Sequence, residues 1–526
     1  MNKLYVFAIG GSGERVLKSL ALMLAAGTPI AAKEVIPVIV DNDQTSKALT
    51  DCKRILKNYG YKAGDNGVHT IYEKAFGQDQ KEWPSFCHTH LREPVMLDIA
   101  GNTIGNLDKI IGCPAENPND SNNEYIHSIL IERDLLFTRE DLEMPLNVGF
   151  VGNPNIGSVV INNLSFACSD FQSIFNGISS NDGVIVVGSL FGGTGAAGFP
   201  LIVNKFNSIT DRTKKPVLGG VAMLPYFDTD KAKAVKDDAS IDKGKWDVDS
   251  DTFATKTRAA LMYYDVYMQD LDLMYYVGDD SRCSYPHSLG GPGQDNPANL
   301  MEVFAALSVI DFAKQGHQKR PIYKLNIWGF DDAGKVSNVS GITNPELKKA
   351  IVKFQMFELI LKNDSFLKYA ISDQMQASFV KEIGFTDQVR TSTYSDNIQY
   401  KFASGLNGLL KDWDLWLSQL ADNNAKRQLM IYNHEVNTSG DDITKNFFAN
   451  GEFGIAKSII ERQGFFINRR EVEKAMTPDI LDAMLAAYKE LPDEMKRNVS
   501  EFQILPLEML VISKALDKVI EDKCSL

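Results

Sequence analysis

Apolar runs of strand length alternate with longer amphipathic stretches through the first 330 residues of the chain. Residues 3–9, 35–40, 183–187, 217–225, 273–277 and 324–330 form the runs. That at 183–187 lacks polar alternation, the mark of a parallel strand covered on both faces. Between them, residues 14–26, 45–56, 199–206 and 253–268 carry helical spacing. Residues 300–313 are apolar almost all round, as a buried helix requires. Strand and helix alternation of this kind predicts an α/β fold with a mostly parallel sheet flanked by helices, Rossmann-like in plan. Beyond residue 340 strands become scarce. Residues 347–361, 366–383, 406–422 and 507–523 read as helices, so the expected division is 1–330 for the α/β part and 331–526 for a mainly helical C-terminal part. Residues 58–145 are rich in Gly, Asn, Asp and Pro, as in Gly112-Cys113-Pro114, and read as a loop-rich insertion; 147–158 reads as a loop or short strand and 231–251 as an exposed charged segment.

Two glycine-rich turns interrupt this pattern at the ends of predicted strands. Gly10-Gly11-Ser12-Gly13 follows the first, and Gly192-Gly193-Thr194-Gly195-Ala196-Ala197-Gly198 follows the run at 183–187. Glycine lets the backbone turn tightly, so that successive N–H groups and a helix N-terminus converge on one anion. Spacing alone leaves two readings open: a phosphate cradle, or turns that pack a helix on a sheet. The second strand ends in Asp41-Asn42-Asp43-Gln44-Thr45, where open α/β sheets bind ligands. Those acids suit a ribose hydroxyl or a magnesium-bound water, and equally a helix cap.

Composition narrows the partners. The chain has 526 residues, a net charge of −13, 44% hydrophobic and 23% charged residues. That acidity argues against nucleic acid or an anionic membrane surface as the main partner. No apolar run has the length of a membrane span, the first nine residues are too short for a leader, and six scattered cysteines without a Cys-x-x-Cys pair suit a reducing compartment. The expectation is a cytoplasmic protein. Cys87-His88-Thr89-His90 lacks a second ligand cluster at zinc spacing and reads as structural.

Taken in order, the first Gly turn, the Asp-rich end of the second strand and the Gly192–Gly198 loop resemble the tubulin/FtsZ family of GTPases. That family's signature loop reads G-G-T-G-[ST]-G, from which Ala196-Ala197-Gly198 departs by a small residue. The resemblance covers about residues 3–330, and residues 299–313 take the place of the family's long central helix. It implies GTP or GDP held with Mg²⁺ by Gly10, Gly11, Ser12, Gly13, Asp41, Asp43, Gly192, Gly193, Thr194 and Gly195. It also places base recognition at Asn299 or Asn296 and implies self-association, as in prokaryotic cytoskeletal filaments, or a protein partner docked through the helical C-terminal part. The family completes hydrolysis with acids that enter the next subunit's pocket; Asp311 is the candidate catalytic residue, with Lys314 where a second acid belongs. A Rossmann-type NAD enzyme is the alternative, with Gly10–Gly13 at the pyrophosphate and Asp41 on the ribose, although Val16 stands where the last fingerprint glycine belongs. A nucleotide-free scaffold with the same fold is the third reading.

Overall fold

The computed structural model describes residues 1–60, 67–77, 83–97, 105–111, 123–144, 146, 149–164, 166, 168–230, 248–268, 270–279, 282–288, 290–328, 344–362, 398–422, 478–496 and 503–523. Within these, the chain divides into two compact units. One comprises Met1–Lys18, Val35–Lys53 and Pro94–Asp331; the other comprises Ser19–Glu34, Arg54–Glu93 and Asp332–Leu526.

The first unit is built on a mostly parallel sheet. Its strands are β1 (Lys3–Ile9), β2 (Glu34–Val40), β3 (Val95–Met96), β4 (Gly183–Ser189), β5 (Val217–Met223), β7 (Leu273–Asp279) and β9 (Ile322–Trp328). They run in the order β9-β7-β5-β4-β1-β2, with β3 on β2. All seven residues of β4 and of β5 are buried, as their unbroken apolar sequences require. A separate parallel pair, β6 (Phe227–Asp230) and β8 (Cys283–Pro286), was not legible as strands.

The strand order sets the position of the site. From β1 the chain moves to β2 on one side, and β4 returns on the other, in parallel register from Leu4↔Gly183 to Ala8↔Val187. The carboxyl ends of β1 and β4 therefore flank the point where the winding reverses, which is where open α/β sheets form a crevice. Helix α1 (Gly10–Ala25) leaves β1, α2 (Lys47–Tyr59) follows β2, and α6 (Gly193–Asn207) follows β4. Both helices after the glycine-rich segments start inside those segments, so the glycines are first turns of helix rather than free loops. The stretch read as a loop or strand at 147–158 enters helix α4 (Pro154–Leu164), followed by α5 (Ser169–Gly177).

One face of the sheet is covered by an aromatic core. Phe7 lies edge-on to Phe206 at 5.4 Å and to Phe171 at 6.4 Å. Helix α7 (Phe253–Tyr267) precedes β7 and stacks Tyr264 on Phe199 at 5.4 Å. Every residue of helix α8 (Leu300–Phe312) is buried, matching its nearly continuous apolar sequence.

Among the described residues, the second unit's regular elements are helices and one short strand. It contains α3 (Val68–Phe76), a helix within the stretch 58–145 that reads as a loop-rich insertion, together with α9 (Asn344–Lys362), α10 (Ile398–Asp422), α11 (Pro478–Glu490) and α12 (Ile504–Lys523). Trp413 and Trp416 are fully buried with ring centroids 5.2 Å apart, and the Trp416 indole donates to Ser19 Oγ at 3.1 Å. Lys353 is buried between Asp517 Oδ2 at 2.5 Å and Ser85 Oγ at 2.6 Å, and burial lowers its pKa. The predicted helix at 366–383 and Gly112-Cys113-Pro114 lie outside the described residues, as does most of the charged segment 231–251.

Candidate functional site

An open cleft sits at the carboxyl ends of β1, β2 and β4. Gly10, Gly11 and Ser12 form one lip and Gly192, Gly193, Thr194 and Gly195 the facing one. Gly10 has φ +65°, and a Cβ there would lie 3.1 Å from Thr194 Cβ and 3.5 Å from the Gly195 amide nitrogen. The two segments are therefore in close approach, and glycine is what allows it. Two helix N-termini meet at this place, each with amides that have no partner in the preceding turn of helix.

Asp41 and Asp43 also line the cleft. Asp43 is consumed locally: Oδ1 accepts from the Thr45 amide at 3.0 Å and hydroxyl at 2.8 Å, and Oδ2 accepts the Gly291 amide at 2.7 Å. Asp41 Oδ1 accepts the Asp43 amide at 3.1 Å. Beneath them Glu14 is wholly buried; its Oε2 accepts from the Ser46 hydroxyl at 3.3 Å, and Oε1 has no partner among the described residues. Burial pushes the Asp41 carboxyl up to about 7, and burial with the neighbouring Asp41 charge pushes Glu14 well above the carboxylate range. The floor of the cleft thus carries less negative charge near neutral pH than its sequence suggests.

Two of the residues expected in the pocket, Gly13 and Asn299, do not line the cleft, and Asp311, expected to serve a neighbouring subunit's pocket, lies away from it. Gly13 is a packing glycine: a Cβ there would meet the Ala8 carbonyl carbon at 2.7 Å and the Val187 oxygen at 2.8 Å. Asn299 is the N-cap of α8, accepting the Met301 amide at 2.9 Å while its Nδ2 donates to Cys283 Sγ at 3.1 Å and Tyr285 Oη at 3.2 Å. Asn296, the second candidate for base recognition, does line the cleft. Asp311 lies far along α8, 3% exposed, where it accepts from the Tyr275 hydroxyl at 2.8 Å and pairs with Lys324. Burial and the Asp311 charge raise the Tyr275 pKa.

The structure adds residues that the sequence pattern concealed. Arg15 lines the cleft at 6% exposure, on the first helix one turn beyond the glycines. Its Nε donates to Glu302 Oε1 at 2.7 Å, and its Nη2 donates to Tyr226 Oη at 2.8 Å and Ser12 Oγ at 3.3 Å. Burial works against the guanidinium charge, but Tyr226 and Glu302 outweigh it and its pKa moves up. Glu302 closes the α8 capping box through Oε2, which accepts the Asn299 amide at 3.1 Å. A third backbone segment, Gly149–Gly152, also borders the cleft, with φ +91° at Gly149, +41° at Val151 and +70° at Gly152. Lys256 Nζ donates to the Gly152 carbonyl at 2.8 Å and secures that segment. Phe191, Phe227 and Phe253 make an apolar wall, with Phe191 to Phe253 at 4.6 Å. The turn chemistry at Asn153-Pro154 was the sequence signal nearest the third segment; a single Arg on an apolar helix gave none.

No group of three or more His, Cys, Asp or Glu arranged to hold a metal ion occurs among the described residues. Nor does any described helix have the length and apolarity to cross a membrane. In the second unit, His69 Nδ1 lies 2.8 Å from the Cys87 carbonyl and Nε2 lies 3.3 Å from His90 Nδ1; burial lowers its pKa to about 4. Comparison with protein-family models and with curated proteins finds none that matches the chain.

Proposed function

We propose that the protein binds a guanine nucleotide, GTP or GDP, in the cleft, in the manner of a divergent tubulin/FtsZ-like protein. One observation carries this reading: two glycine-started helices from adjacent strands, Gly10–Ser12 and Gly192–Gly195, border one open cleft at the winding reversal. Their amides and helix dipoles supply a phosphate site without a P-loop lysine. An NAD reading uses the first turn and leaves the second unexplained. A scaffold would fill the space between the turns, whereas here they border an open cleft.

Mg²⁺ suits this site only as a partner of the nucleotide. It is commonly held by one or two carboxylates together with phosphate oxygens and water. Asp41 is the group that would hold it, since both Asp43 oxygens already accept backbone or hydroxyl donors. The bound ion would supply positive charge beside the phosphates. This chain's own part is to present the amides, to orient Asp41 through the Asp43 amide, and to wall the cleft with Phe191, Phe227 and Phe253. Asp311, held by Tyr275 and Lys324, is given no part in binding.

Self-association belongs to the same reading. What supports it is an apolar face on α7, where Met262, Tyr263, Val266 and Tyr267 are 43–65% exposed. The test is identification of the co-purified nucleotide by mass, with calorimetric titration of GDP. Micromolar or tighter binding is expected, and it should be lost on combining Gly193→Val with Thr194→Ala. A Cβ at Gly193 would stand 2.9 Å from Phe150 Cβ and 3.1 Å from the Asn153 amide nitrogen, closing the lip. No binding of any nucleotide by the wild type removes the proposal.

A further inference from the structure

We infer that Arg15 is a ligand-binding residue of the cleft: its guanidinium contacts a phosphoryl oxygen of the bound nucleotide while Glu302 and Tyr226 hold it in place. The inference rests on the nucleotide-binding reading above and adds a charged group to what is otherwise a backbone site.

Three features of the geometry carry it. Arg15 is the only cation among the described residues that line the cleft, against two carboxylates, Asp41 and Asp43. Its fork is fixed on two corners, Nε on Glu302 and Nη2 on Tyr226 and Ser12. The remaining nitrogen, Nη1, faces the first glycine turn, where a Cβ on Gly11 would lie 3.6 Å from it. A planar guanidinium held along one edge and presented along the other is suited to a phosphoryl oxygen. A structural role accounts for less of this. A buried ion pair contributes little more to stability than apolar residues of the same volume, so folding gives no reason to set this one in a cleft wall. Glu302 also balances the charge, so the arginine rests there without ligand.

A structural partner and a ligand contact make different predictions for paired substitutions. Arg15→Gln alone strands Glu302, 1% exposed, and should lower both stability and affinity. Adding Glu302→Gln removes the stranded charge and keeps a residue able to close the capping box, so thermal stability should return toward wild type. Titrating GDP and, separately, inorganic pyrophosphate into these variants then decides. The expected result is that the double variant regains its melting temperature yet binds both probes roughly 10- to 100-fold more weakly, the value of one charge-assisted hydrogen bond. Arg15→Lys should fall between, since it keeps the charge and loses the fork. A double variant that regains stability and affinity together overturns the inference and leaves the nucleotide reading standing. A wild type that binds neither probe overturns the reading beneath it as well.

Discussion

Helix α8 ends in two buried acids, and they serve different purposes. Near its start Glu302 takes the Arg15 guanidinium, the Tyr226 hydroxyl and the Asn299 amide, beside the cleft. Near its finish Asp311 takes the Tyr275 hydroxyl and the Lys324 ammonium, away from it. The two acids are nine residues apart, roughly 14 Å along the axis. Residue type and burial are alike at the two ends. What separates them is which loops converge there, so an acid on a central helix acquires its chemistry from the sheet end it faces.

Substitution tests that contrast directly. Glu302→Ala leaves a buried arginine without its counter-ion and should cost about 3–5 kcal/mol, read by denaturant unfolding. Glu302→Ala should also weaken GDP binding if the cleft holds nucleotide. A pH series contrasts the cleft with the second unit. His69 has its pKa lowered from 6.5 to about 4, so the folded state binds fewer protons than the unfolded one between those values. Its unit should lose about 3 kcal/mol as pH falls from near 6.5 to near 4, and His69→Gln should flatten that loss. Asp41 runs the other way. Its folded pKa is raised to about 7, so the contribution is complete below the unfolded carboxyl pKa and disappears as pH rises through about 7. Asp41→Asn should therefore raise thermal stability at about pH 8 and leave it unchanged at about pH 4.

The far end of α8 should respond less. Asp311→Asn keeps the Tyr275 hydrogen bond and leaves Lys324, 35% exposed, able to reach water, so the cost should be about 1–2 kcal/mol with GDP affinity unchanged. A large loss of affinity there would erase the distinction between the two ends. Asn299→Ala removes the cap and should cost about 1 kcal/mol.

Much of the fold was legible because β4, β5 and α8 are apolar along nearly all their length, and such runs have few places to go but the interior. The glycine segments were legible for a related reason, since no side chain competes with their backbone. What escaped the eye depends on long-range proximity. Glu302 sits in a helix whose apolarity announced burial, and only the fold shows that a partner, Arg15, comes from 287 residues away. The Gly149–Gly152 segment hides because positive φ at Val151 leaves no trace in hydropathy. Asn299 was singled out for a base and is occupied as a cap, a duty that Asn performs at many helix starts. Asp311 came from the resemblance, as an acid for a neighbouring subunit's pocket; what hydropathy could not show is that Tyr275 and Lys324 hold it within its own chain.

The close approach of Gly10 to Thr194 also fixes a dimension. The two lips grow from neighbouring strands, about 4.8 Å apart, locked by a ladder running from Leu4↔Gly183 to Ala8↔Val187. The aperture between them is therefore a gauge machined into the sheet rather than a property of the glycine segments. Lengthening either lip changes its contour and leaves the gap alone. Widening the gap means parting two wholly interior strands, so hydrogen exchange at Phe7 and Val186 should be among the slowest in the unit.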